Sequence, residues 1–367
     1  AAGGVTSIMD MPNTNPLTTS LDALHAKFDL LNEKCIVNHS CYFGATNTNY
    51  TEFDKLDRHR VCGIKLFMGS STGNMLVDKM NSLLKIFNGT DMLIAAHCED
   101  QETILANIEK YKAKYKGEQD IPVKEHPNIR SIAACYTSSE LAVRLATIAG
   151  ARLHILHVST AKELKLFSDA PLSEKLITAE ACIAHLIYGT SDYSKLGTRI
   201  KCNPAIKRPI EQRAIRAAVN SGVIDVIATD HAPHLLSEKK GGALKAMSGM
   251  PMIQFSLVSM LELVDQGVFS LETIVQKMCH APAQIFGICR RGYIREGYQA
   301  DLVLVRPNTP WEVTTKNILS KCGWSPLEGH TFNWKVEKTF ANGHLIYNDN
   351  KVDEAYRGEE LRFDYKS

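Results

Sequence analysis

The chain has no C-x-x-C pair, although it carries ten cysteines, at 35, 41, 62, 98, 135, 182, 202, 279, 289 and 322. Neither a zinc ribbon nor a dense disulfide framework is therefore indicated. Several of these thiols sit inside apolar runs, where cysteine behaves as a small hydrophobe. Reduced thiols and a cytoplasmic address fit best, and the three Asn-x-Ser/Thr matches at Asn38, Asn49 and Asn88 are then chance. No apolar stretch reaches transmembrane length and no basic-plus-apolar leader is read, so a membrane protein is not expected. Long basic runs are missing and the formal net charge is only +2, which argues against nucleic acid as the main partner. There is no short-period repeat, low-complexity segment or heptad pattern.

What remains is an ordinary soluble globular composition, 44% hydrophobic and 22% charged. Strand-like runs read at Val5–Met11, Cys35–Gly44, Gly63–Met68, Met92–His97, Arg152–Val158, Lys175–Ala181 and Val223–Thr229. Helical patterns fall between and after them, as at Ser20–Glu33, Met75–Asn88, Ser138–Ala149, Glu211–Ser221 and Met252–Asp265. Strand then helix, repeated, predicts an α/β chain with a parallel sheet and crossover helices. Seven strands are found where a closed (β/α)8 barrel of the TIM type needs eight. The chain also opens in mid-element, at Ala1-Ala2-Gly3-Gly4. The expectation is a barrel whose first strand lies upstream in a longer polypeptide. Near Arg291 the pattern changes to short strands, Gly292–Glu296, Ala300–Val305, Lys335–Ala341 and His344–Tyr347, with Asn342-Gly343 as a hairpin signal. The division expected is a barrel over 1–291 and a small β-sandwich module over 292–367.

Barrel enzymes place their chemistry at the carboxyl ends of the strands. Thr229-Asp230-His231-Ala232-Pro233-His234 follows the last strand, and three other strands end near Lys65, His97 and His157. A lysine inside Gly63-Ile64-Lys65-Leu66-Phe67-Met68 would be disfavoured as a cation, and a neutral amine can capture carbon dioxide as a carbamate. Alone, Lys65 reads as a snorkelling side chain, and a lone strand-end histidine reads as a hydrogen-bonded core residue. Together with Asp230 the four favour a metal or proton-transfer site. His154, three residues before His157, faces the other side of its strand and is taken as structural. Asn13 ends the first strand, and Asn203 follows Ile200-Lys201-Cys202 and precedes Pro204; each reads either as a turn residue or as a donor to a substrate carboxylate or amide. Asp230 could cap a helix or act as base, and His234 could bind an anionic group.

The set Met11-Pro12-Asn13-Thr14-Asn15-Pro16, Lys65-Leu66-Phe67, His97-Cys98-Glu99-Asp100, His154–Thr160, Asn203-Pro204 and Thr229–His234 resembles the amidohydrolase superfamily of metal-dependent barrels. Within it the order and spacing are most similar to the dihydroorotase family. Ala300–Val305 also resembles the strand that closes the accessory β domain of these enzymes. The resemblance implies a zinc-dependent cyclic amidase that interconverts N-carbamoyl-L-aspartate and dihydroorotate in pyrimidine biosynthesis. It implies two Zn2+ per subunit bridged by carboxylated Lys65, with His97 and His157 on one zinc. Asp230 would ligate the other zinc and shuttle the proton. Asn13, Asn203, His234 and the backbone at Ser248-Gly249 would hold substrate. The family's first strand ends in a His-x-His pair and an arginine, which would fall on the strand expected upstream of Ala1. The rivals are a hydantoinase or allantoinase, and a catalytically silent homologue that scaffolds a pathway complex. The partner expected is a small-molecule substrate, and a homo-oligomer is left open.

Overall fold

The computed structural model describes residues 1–69 and 75–364. Parallel strands buried on both faces should be apolar throughout, and the central strands obey this. Residues 64–67 and 94–97 are all buried, with Lys65 and His97 the only charged or titratable members. The strands are β1 (Ser7–Asp10), β2 (Asn38–Cys41), β3 (Phe43–Gly44), β4 (Ile64–Phe67), β5 (Ile94–His97), β6 (Leu153–Ile155), β7 (Ile177–Cys182) and β8 (Val226–Ala228). β1 pairs with β2, and β3 through β8 pair in sequence order, every pair parallel. β2 and β3 are two halves of the run 35–44, interrupted at Tyr42. Strand, helix, strand in this order is the TIM-type α/β barrel. Among the described residues no ladder joins β8 to β1.

Local signals set most helix ends. The helix Ile132–Ala149 begins six residues before the expected Ser138. Ser131 caps it by accepting from the Ala134 N–H, and Gly150 ends it at φ +64°. The helix expected over 75–88 is helical only from Met80. Met75 and Val77 are instead buried in extended chain, and the Val77 N–H donates to Phe67 O, prolonging the edge of β4. Core burial of alternate residues outweighs helical propensity there.

In the tail, β9 (Leu302–Arg306), β12 (Lys335–Ala341), β13 (His344–Asn348) and β14 (Lys351–Val352) form an antiparallel sheet of order β14-β13-β12-β9. β10 (Trp311–Glu312) and β11 (Thr331–Phe332) pair separately. Asn342 and Gly343 take φ +54° and +82°, as a primed hairpin turn requires. The strand expected at 292–296 does not form. Its backbone groups go elsewhere: Gly292 O accepts from His280 Nδ1, and the Tyr298 N–H donates to Arg295 O in a local turn. The tail is tied to the barrel. Trp311 and Phe332 pack on Phe255, and Leu361 N–H donates to His39 O beside β2. The last three residues of the expected module lie outside the described residues. All ten cysteines are free thiols, and no helix among the described residues is long and apolar enough to cross a membrane.

Candidate active site at the strand ends

The register of β4, β5 and β6 brings three expected ligands to one end of the barrel. Lys65 sits on β4 opposite Ala95, and Phe67 lies opposite His97. His157 follows β6 by two residues. Lys65 is almost fully buried, with its Nζ 4.1 Å from the centroid of the Phe67 ring. Burial pulls its ammonium down to about 7, partly opposed by Asp230. A sizeable fraction of the amine is therefore neutral near physiological pH.

His97 and His157 face each other, Nδ1 to Nε2, at 3.0 Å. Nε2 of His97 donates to Glu99 Oε2 at 3.1 Å, and Arg130 Nη1 donates to the same oxygen. That bond fixes the tautomer: the proton stays on Nε2, and the Nδ1 lone pair points at His157. Among the described residues His157 Nδ1 has no hydrogen-bond partner, and the His157 Nε2–H donates to the His97 Nδ1 lone pair, a proton that an ion bound between the two rings would replace. Burial lowers the proton affinity of both rings, and each also repels the charge of Lys65. Both imidazoles are thus neutral, the form that ligates metals. Burial alone would raise the Glu99 carboxyl, but Arg130 and His97 outweigh it and hold the group at about 2.

Asp230 enters from the end of β8. It and His157 take φ of +44° and +40°, the left-handed region that costs non-glycine residues. Two such residues in one cluster mark a site whose geometry is over-determined by its surroundings. The Asp230 carboxylate is open to water on one side yet ringed by protein. The partial desolvation pushes its pKa upward, Glu180 adds repulsion, and Lys65 pulls it back down.

Tetrahedral coordination with bonds of about 2.0–2.1 Å sets two ligand nitrogens roughly 3.3 Å apart. The 3.0 Å between the facing imidazole nitrogens fits two ligands of one such ion. Among the described residues no group of three or more His, Cys, Asp or Glu side chains is close enough to hold a metal alone. The fit therefore rests on the imidazole pair with Lys65 beside it. A second ion would have only Asp230 and a Lys65 carbamate from the described residues.

The expected substrate residues lie in the connections that follow β1, β7 and β8. Asn203 Oδ1 accepts from His126 Nε2 at 3.1 Å. His234 Nε2 donates to Ser248 O at 3.1 Å, and Trp324 Nε1 donates to His234 O at 2.7 Å. Gly249 takes φ +136°, and a Cβ there would come 2.6 Å from Ala232 O, so only glycine fits. The Gly249 N–H is already spent on Lys201 O at 2.8 Å, which leaves the Ser248 N–H as the backbone donor of the pair with no partner among the described residues. Asn13, after β1, is exposed and its amide makes no hydrogen bond within the described residues. His231 braces the loop, accepting from the Ile253 N–H on Nδ1. His154 is buried against Thr178 and Glu180, with Nδ1 and Nε2 both bonded.

Sequence reasoning passed over Glu99, Arg130 and Glu180. Glu99 stood in His97-Cys98-Glu99-Asp100, two residues from the histidine it orients. Glu180 was an acid in the middle of an apolar strand, Ile177–Cys182, which is itself a signal. Its Oε1 accepts from the His157 N–H and its Oε2 pairs with His154. Nothing local pointed to Arg130.

A parallel barrel that carries opposed imidazoles, a buried lysine of lowered proton affinity and an acid at its strand ends is the architecture of a barrel hydrolase. The chain belongs to the amidohydrolase family, whose model matches residues 1–346. It is 30% identical to a dihydroorotase of Halobacterium salinarum over 99% of this chain and 82% of that protein. It is also 30% identical to a dihydroorotase of Pyrococcus furiosus, over 98% and 77%. An allantoinase of Bacillus velezensis is 29% identical over 95% and 77%. Among solved structures, an L-hydantoinase (dihydropyrimidinase) from Arthrobacter aurescens matches with a TM-score of 0.90 and 27% identity, covering 96% of this chain and 79% of that one.

Proposed function

We propose that this chain is a dihydroorotase: it opens L-dihydroorotate to N-carbamoyl-L-aspartate and closes it in reverse, as a step of pyrimidine biosynthesis. The observation that carries a hydrolytic reading is the 3.0 Å imidazole pair next to neutralised Lys65 and Asp230. Its likeness to dihydroorotases and to an allantoinase supports a cyclic amide as substrate. His234 in Ala232-Pro233-His234, with Asn203 as a second polar side chain, favours a substrate that carries a carboxylate. The ten free thiols suit a cytoplasmic address.

Zinc would be held by His97, His157, Asp230 and Lys65 in its carbamate form, where it would supply Lewis-acid polarisation and an acidified water. The carbamate forms when the neutral Lys65 Nζ attacks carbon dioxide; one N–C bond forms and one proton leaves. Asp230 then has the central task. It would accept a proton from the attacking water and hand it to the ring nitrogen as the C–N bond breaks. Glu99 and Arg130 keep the His97 lone pair aimed inward throughout. His234, Asn203, Asn13 and the Ser248 N–H orient the ring and its carboxylate.

A hydantoinase or allantoinase reading shares the same metal-side residues, and the L-hydantoinase likeness gives it weight. Ring opening of dihydroorotate, hydantoin and allantoin, measured beside zinc content, separates the readings. Turnover preferring dihydroorotate is expected. Preference for either of the others moves the substrate assignment, and metal-loaded protein inert on all three overturns the enzyme.

A further inference from the structure

The loop that follows Asp230 covers a lysine that the chemistry above does not use. Lys239 is 2% exposed, although the residues on either side of it are exposed. Its Nζ donates to three carbonyl oxygens: Lys201 O at 3.0 Å, Met247 O at 2.7 Å and Gly249 O at 2.7 Å. An ammonium has three donors and no acceptor, so all three are used. Among the described residues no carboxylate accepts from it; the neighbouring Glu238 turns outward and accepts from the Leu235 N–H. This is not a snorkelling lysine. It is a buried cation held by backbone carbonyl dipoles, with the centroid of the Trp324 ring 5.9 Å from its Nζ, a costly arrangement.

The three carbonyls belong to two segments. Lys201 O lies two residues before Asn203. Met247 O and Gly249 O flank Ser248, whose carbonyl holds His234. Further bonds join the same two segments: the Gly249 N–H to Lys201 O, and Lys201 Nζ to Ala246 O. Thr198 Oγ1 donates to Lys239 O, so the lysine's own backbone is tied to the first segment as well. Its positive charge also helps keep His234 neutral.

We propose that Lys239 is a positioning residue: its ammonium locks the Asn203 segment to the Ser248-Gly249 segment and so sets the width of the substrate cleft. The inference rests on the reading that Asn203, His234 and Ser248 face the substrate. A clamp of this kind acts on substrate binding and leaves the strand-end cluster untouched.

The test is steady-state ring opening of dihydroorotate by zinc-loaded Lys239→Met and Lys239→Ala, with Asn203→Ala as reference. Loss of hydrogen bonds to a charged group predicts a KM increase of roughly tenfold or more, a nearly unchanged kcat and unchanged zinc content. In Lys239→Ala, added ethylammonium should refill the cavity and lower KM, whereas tetramethylammonium, which has no N–H donors, should not. A general loss of structure would move kcat, zinc content and KM together and would show no such rescue. Unchanged KM in Lys239→Met, while Asn203→Ala raises it, overturns the clamp. Unchanged KM in Asn203→Ala instead overturns the substrate reading beneath it. Should both lysine variants fail to fold, hydrogen exchange on the wild-type chain decides: the Gly249 amide should exchange as slowly as those of β5, and exchange at loop rates refutes the clamp.

Discussion

The strand-end cluster and the loop over 229–250 hold neighbouring parts of one site by different means. Lys65, His97 and His157 are fixed by parallel register, full burial and the Glu99–Arg130 buttress. His234, Ser248 and Gly249 sit on irregular chain and are fixed by side chains that reach backbone carbonyls: Lys239, Lys201 and Trp324. The first region has its geometry built into the sheet. The second has a geometry that individual substitutions can loosen. Chemistry should therefore fail abruptly when the strand ends are altered, and binding should degrade in steps when the loop is altered.

Asp230 stands where the two regions meet, and its loss should have the largest effect. Asp230→Asn keeps shape and removes the proton acceptor. We expect kcat to fall by about a thousandfold or more with the far-UV spectrum unchanged; near-normal turnover would remove Asp230 from the mechanism. Glu99→Gln comes next and strikes the buttress. It leaves the Arg130 guanidinium without its buried carboxylate, and breaking a buried pair costs about 3–5 kcal/mol. His97 would also exchange its ionised acceptor for a weaker amide oxygen, so metal affinity should drop by roughly 10–100-fold. Thermal melts and zinc titration read both. A variant with wild-type stability and affinity would show that the buttress does nothing for the strand-end region.

The same contrast explains what could be read in advance. The barrel and the strand-end placement of Lys65, His97, His157 and Asp230 were legible because period, apolar runs and turn chemistry are local. The shortfalls were also local in origin. Met75 and Val77 went to extended core positions against their helical pattern, and 292–296 spent its backbone bonds on His280 and a turn. Glu99 was visible as a residue but not as a partner of Arg130, 31 positions away. Lys239 was hidden for the same reason: three carbonyls converge on it only in the folded chain, and in sequence it is one cation of a Lys-Lys pair in a polar loop.

A third expectation tests the strand ends without mutation. The Lys65 ammonium is held at about 7 by burial. The neutral fraction rises as pH rises through that value, and only the neutral amine attacks carbon dioxide. Metal-free protein stripped of carbon dioxide should then take up zinc slowly. At fixed dissolved carbon dioxide, uptake should quicken severalfold between roughly pH 6 and 8. Equal uptake with and without carbon dioxide would mean that Lys65 contributes no carbamate.

The smallest effect is expected from Trp324→Phe, and it bears most directly on the loop. Trp324 is fully buried, and its Nε1–H donates to His234 O at 2.7 Å, joining a tail residue to the loop that presents His234. Phenylalanine keeps an aromatic ring in the pocket but removes the donor and some volume. The lost bond is worth about 1 kcal/mol, and the buried carbonyl of His234 is left without that partner. If the loop is held by such contacts one at a time, KM for dihydroorotate should rise about fivefold while kcat and zinc content stay put. A fall in kcat at unchanged KM would instead couple the loop to the strand ends, and the two regions would then have to be treated as one mechanical unit.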